Sequence, residues 1–206
     1  MAIANYTDLQ SAIADWLARA DLTARIPDFV ALAEGHFNRE LRTREMLSAY
    51  APVLSGGTAS LPPDFLESYE ITWTGPARSR SLKNVEPDSE AWRFRYRPNG
   101  DPSMFVILAS TVSIRPAAGG NITIVYYQSI PPLVSNSTNW LLTKCPDLYL
   151  YRALAEAYIY QKNDEKSSEF IALATAEVGK AIAAADSNKL ARRPNSPPPG
   201  DDTGTA

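Results

Sequence analysis

"RIPDFVALAEGHFNRELRTREM", residues 25–46, decides how this chain folds. Pro27 has the fixed φ and the missing N–H that suit the first turn of a helix. The apolar spacing behind it predicts a helix from about residue 27 to 42. That helix carries His36, the one histidine of the 206-residue chain, with Glu34 before it and Glu40 four residues after. Positions i and i+4 share a helix face, so His36 and Glu40 form a candidate pair for metal or proton chemistry. On a wheel of about 100° per residue, Phe29, Val30, Leu32, Ala33, Phe37 and Leu41 make one broad apolar arc, with His36 and Glu40 near its centre. A protein zinc site takes at least three protein ligands, and the other carboxylates show no motif spacing. The pair therefore reads as a self-satisfying contact where the helix meets another element or subunit.

Upstream, Thr7 and Gln10 read as a capping box, and Leu9, Ile13, Trp16 and Leu17 make an apolar stripe, so a helix from about 7 to 19 is expected. The two helices form a hairpin over residues 1–44. Downstream the character changes. Turn signals cluster at Gly56-Gly57, Gly75-Pro76, Asn99-Gly100 and Gly119-Gly120. Between them "SYEITWT", 68–74, alternates, with Tyr69, Ile71 and Trp73 on one face. "MFVILAS" and "TVSIRP", 104–116, read as hairpin partners, and "NITIVYYQSI", 121–130, is rich in β-branched and aromatic residues.

After residue 139 helical spacing returns. Pro146 starts a helix with Leu148, Tyr151, Leu154, Ala155, Tyr158 and Ile159 on one stripe; "QKND" breaks it. A second helix carries Phe170, Ile171, Ala174, Val178, Ile182 and Ala185, and so short a turn makes the two an antiparallel pair. The expected fold class is α+β. Residues 1–44 and 139–187 form a discontinuous helical bundle, and 45–138 an inserted antiparallel β-sheet or small barrel. Residues 188–206 form a proline-rich extended tail with almost nothing to bury.

A formal net charge of −3 and a pI near 5.3 argue against a chain whose main task is gripping nucleic acid. One local feature runs the other way. In "WRFRYRP", 92–98, an extended backbone puts Arg93, Arg95 and Arg97 on one face and Trp92, Phe94 and Tyr96 on the other. With Arg78, Arg80 and Lys83 this makes a candidate basic ridge toward nucleic acid or an acidic partner. The alternative is a solvated strand face that discourages edge pairing.

The single cysteine, Cys145, excludes an intramolecular disulfide and a cysteine-based zinc site, and reads as a packed side chain. There is no Gly-x-Ser-x-Gly elbow and no glycine loop between strand and helix, so no enzyme, metal or cofactor is expected. The N-terminus lacks the pattern of a signal peptide. No apolar run approaches the roughly 18 residues of a membrane span. A protein of the reducing cytoplasm, away from membranes, is the expectation.

Several blocks occur in a telling order. Trp16, Arg19, Asp21 and Leu22 precede Ile26, Pro27, Phe29, Leu32, Ala33 and Glu34; then come Asn38, Arg39, Leu41 and Arg42, and "LPPDF" at 61–65. Together with the C-terminal helix pair, this resembles the head–tail adaptor (head-completion, connector) proteins of tailed bacteriophages. His36 lies outside that family's pattern.

The resemblance implies a structural virion protein at the neck, assembled in the host cytoplasm. Such proteins form a ring, commonly of twelve copies, that docks on the portal. The ring extends the channel for packaged double-stranded DNA and carries the tail or nozzle proteins. On that basis Glu34, His36, Arg39, Glu40, Arg42, Leu190, Arg192 and Arg193 are candidate subunit or portal contacts. A nucleic-acid-binding accessory protein using the basic 78–97 segment is the alternative.

Overall fold

The computed structural model describes residues 3–76, 78–90, 92, 100–118 and 120–190, with side chains as far as Ala184. The first helix, α1 (Tyr6–Leu17), is capped by Asn5, whose side-chain oxygen accepts the Asp8 amide proton at 3.0 Å. Asn5 therefore caps this helix in place of the expected Thr7–Gln10 box. After a 3-10 segment (Ala20–Arg25), α2 (Ile26–Glu40) begins with Pro27 in its first turn. Two strand-rich layers follow. The chain then re-enters helix with α3 (Trp140–Lys144), α4 (Pro146–Tyr160) and α5 (Asp164–Leu190).

The α4 helix is the axis of the helical part. Leu148, Tyr149, Leu150, Ala153, Leu154, Ala155, Ala157 and Tyr158 are all buried, around most of its circumference. A helix that is apolar nearly all round is one enclosed by neighbours, and α1, α2 and α5 each pack against it. Phe29 meets Tyr160 and Phe37 meets Tyr149, at ring separations of 5.7 and 5.0 Å, so α2 runs antiparallel to α4. On another flank Tyr158 stacks on Phe170 of α5 at 5.4 Å. The stripe expected on α4 is too narrow, and it includes Ile159, which is exposed. On α2 the buried arc of Phe29, Val30, Ala33 and Phe37 leaves out Leu32, which is 53% exposed. His36 consequently sits at the rim of the apolar face.

The β region forms two four-stranded sheets with one shared apolar core, where a single antiparallel sheet or small barrel was expected. The strands are β1 (Leu47–Tyr50), β2 (Thr58–Ser60), β3 (Phe65–Thr74) and β4 (Ser79–Ser81). They continue as β5 (Lys83–Asn84), β6 (Met104–Leu108), β7 (Thr111–Arg115) and β8 (Asn121–Gln128). The orders are β1-β8-β3-β4 and β2-β7-β6-β5. Between β4 and β5 the chain changes sheet at one buried residue, Leu82, and β5 then pairs parallel with β6. Such corner-turning lets short strands contribute to both layers. Among the described residues, no helix is long and apolar enough to cross a membrane.

The alternation expected in β3 fails at one position for a definable reason. Ser68 pairs with Tyr126 and Glu70 with Val125, so Tyr69 is an extra residue with no partner on β8. A bulge turns that side chain away from the face its parity predicts: Ile71 and Trp73 are buried, while Tyr69 is 59% exposed. A second bulge falls at Leu66, and there Phe65 packs into the sheet core while Leu66 packs into the helical core. The same division occurs on β8, with Tyr126 in the sheet core and Tyr127 in the helical one. These two strands tie the two cores together.

Candidate functional site

One flank of α2 carries Glu34 and Asn38 a turn apart, Arg42 follows just past the helix end, and each side chain reaches a segment distant in sequence. Glu34 Oε1 accepts the Leu133 amide proton at 2.8 Å and the Tyr149 hydroxyl at 3.4 Å. Asn38 Oδ1 accepts the Ile130 amide proton at 2.8 Å. Arg42 Nε donates to Glu67 on β3 at 2.8 Å, and its Nη1 to the carbonyl of Asn38 at 2.9 Å. Behind them Asn139 Nδ2 donates to the Tyr149 hydroxyl at 2.7 Å and to the Pro131 carbonyl at 2.9 Å. Residues 130–133, an irregular link between β8 and α3, cannot satisfy their own backbone, and a buried amide must find an acceptor somewhere. The α2 flank supplies those acceptors.

Burial pushes the Glu34 carboxyl above the usual carboxylate range, partly opposed by the Leu133 and Tyr149 bonds. Burial likewise drives the Tyr149 phenol well upward. Glu34 is thus engaged inside the subunit and does not present its carboxylate at the surface.

His36 belongs to a second cluster, on the opposite rim of α2. Arg152 Nη2 lies 2.6 Å from His36 Nε2 and 2.9 Å from Glu156 Oε1. Glu40 Oε1 is 3.7 Å from His36 Nδ1. His36 Nε2 also lies 3.3 Å from Glu156 Oε1, so the ring edge faces both members of the Arg152–Glu156 pair. The position where a cation would sit between His36 and Glu156 already holds one, the Arg152 guanidinium. Among the described residues no group of three histidine, cysteine or acidic side chains is arranged to hold a metal. The cluster clasps α2 to α4. Arg152 and Glu156 escaped sequence reasoning, although an Arg–Glu pair four residues apart within an apolar helix was the available signal.

The other candidates separate cleanly. Arg39 is exposed and, among the described residues, has no ion pair; Glu40 is also exposed. Leu190 is the last residue of α5, and Arg192 and Arg193 lie outside the described residues. So do Arg93, Arg95 and Arg97 of the basic ridge. Before them, Trp92 is buried against Met104 and Val106 on the outer face of the second sheet, with the Arg115 guanidinium 4.1 Å from its ring. Arg78 pairs with Asp101 at 2.5 Å, while Arg80 and Lys83 are exposed on β4 and β5.

"LPPDF" makes a corner: Asp64 Oδ1 accepts the Tyr126 hydroxyl at 3.0 Å, and its carbonyl accepts the Ser129 amide at 2.8 Å. Cys145 is half-buried, and burial pushes its thiol up, away from thiolate character.

The polar groups that looked chemical are therefore engaged in holding elements together. Large apolar side chains also reach the surface, on the helices at Trp16, Leu32, Tyr160 and Leu173 and elsewhere at Val53, Tyr69, Leu108 and Val134. The family model described as SU10 adaptor protein matches residues 4–198. No curated protein matches the sequence.

Proposed function

The chain belongs to the SU10 adaptor protein family, a family of phage head–tail adaptors, and we propose that it assembles as a ring on the portal vertex. Membership makes it a structural component of the virion. In the proposed assembly about twelve copies extend the channel through which double-stranded DNA passes and present a platform to the tail proteins. The observation that carries this reading is a family match running through both helical parts and the sheets between them. The exposed apolar side chains on the helices agree with it, since a ring subunit must offer two different surfaces to its neighbours. The helical bundle would supply those contacts, and the β region would be an insertion carried by it. The tail beyond residue 190 would reach toward the portal.

The test is to image the full chain mixed with the portal protein of the same phage. A ring stacked on the portal is expected. A chain that stays monomeric alone, with portal and in virions would end the proposal.

A further inference from the structure

Two helix faces on different flanks of the molecule match each other. On α2, Asp28, Leu32, Gly35 and Arg39 follow one another at alternating steps of four and three residues and line the outward side. On α5, Glu169, Leu173, Ala176 and Lys180 do the same. Such a spacing is the seam along which two helices pack. Neither seam is covered within the subunit: Leu32 is 53% and Leu173 41% exposed.

Resting on the ring reading, we infer that adjacent subunits join by packing α2 of one copy antiparallel on α5 of the next. One register satisfies every position. Arg39 faces Glu169, Gly35 faces Leu173, Leu32 faces Ala176, and Asp28 faces Lys180. Each leucine meets a residue small enough to receive it, and each end of the seam pairs opposite charges. Arg39 and Glu169 have no ion pair among the described residues. Asp28 and Lys180 are themselves exposed and hold local partners, Arg25 and Glu177, that a neighbour can replace at little cost.

The geometry also favours head-to-tail joining over a closed pair. The α2 helix contacts α4 through Tyr149, and α5 contacts it through Tyr158. Nine residues apart, these lie about half a turn round α4 from each other. The two seams therefore face away from one another, so joining one to the other is head-to-tail and propagates.

The experiment uses full-length protein with its portal, imaged and sedimented, in four forms: wild type, Arg39→Glu, Glu169→Arg and the double reversal. Each single reversal sets like charges opposite, and about a tenfold or greater loss of ring formation is expected. The double reversal should recover it. Gly35→Trp is a second probe. A Cβ at Gly35 meets only the Arg39 guanidinium, at 3.5 Å, so the subunit should fold normally and fail to join its neighbour.

If the wild type forms rings and all three single variants do so equally well, the α2–α5 seam is wrong while the adaptor reading stands. If the reversed chains keep forming rings but a chain cut after residue 190 exposes new binding at α2, the tail is the occupant and the seam is again wrong. A wild type that forms no ring with portal overturns both.

Discussion

Asn38 and Ile130 are 92 residues apart in sequence, and the side-chain oxygen of one accepts the amide proton of the other at 2.8 Å. One turn earlier on α2, Glu34 holds Leu133 in the same way. These two bonds fix where the chain leaves β8 and enters the C-terminal helices. They anchor the link between the sheets and the C-terminal helices to α2.

Replacing Asn38 by alanine leaves the Ile130 amide without its acceptor. A loss of about 1–3 kcal/mol is expected from an unmet buried donor. Urea unfolding of the variant measures it, and Asn38→Asp, which keeps the oxygen, should recover most of the loss. A variant as stable as the parent would show that water or another acceptor replaces the side chain freely.

Glu34 predicts a pH dependence with a definite sign. Burial raises its carboxyl above the ordinary 4.5, so the folded chain prefers the protonated form. Its contribution is therefore full below that value and is lost as pH rises through the raised one. Glu34→Gln cannot ionise and keeps an oxygen for Leu133. The stability of the variant relative to the parent should grow as pH is raised from about 4 to 7. Glu45 works in the opposite direction: Lys144 holds its carboxyl low, so that contribution is present above 4.5 and is lost on acidification. Thermal unfolding across this range reads both, and a Glu34→Gln difference that stays flat would remove the argument.

Arg152 and Glu156 test the His36 clasp. Their side chains are only 12% and 10% exposed, so Arg152→Ala strands a buried carboxylate and should cost about 3–5 kcal/mol. Removing both charges together should cost less than removing Arg152 alone. A double-mutant cycle with His36→Ala then isolates the histidine's share; an additive cycle would mean that His36 merely lies nearby.

Gly120 is held at φ +111°, and a Cβ there would lie 2.7 Å from the Thr74 carbonyl oxygen. Gly120→Ala should cost about 1–3 kcal/mol. Gly179, within α5, has nothing within 4 Å of a Cβ, and Gly179→Ala should gain about 0.5–1 kcal/mol from helix propensity. Chemical denaturation of the two variants checks the contrast.

By itself the sequence determined where the helices and most strands lie. Pro27 and Pro146 open helices, the glycine pairs punctuate the β region, and "TVSIRP" returns along "MFVILAS"; all depend on contacts within a few residues. The same locality made the adaptor blocks legible as a family pattern. Which faces are inside was decided only by tertiary structure. Leu32 turns outward because α4 meets α2 along Phe29 and Phe37, and Tyr69 turns outward because pairing with β8 makes it a bulge.

The histidine shows the division best. Four residues from Glu40, His36 looked like half of a chemical pair. Its closest partner proved to be Arg152, 116 positions away, which periodicity along one helix cannot reveal. Local spacing reports what a residue can share a face with; only packing reports what arrives on the other side.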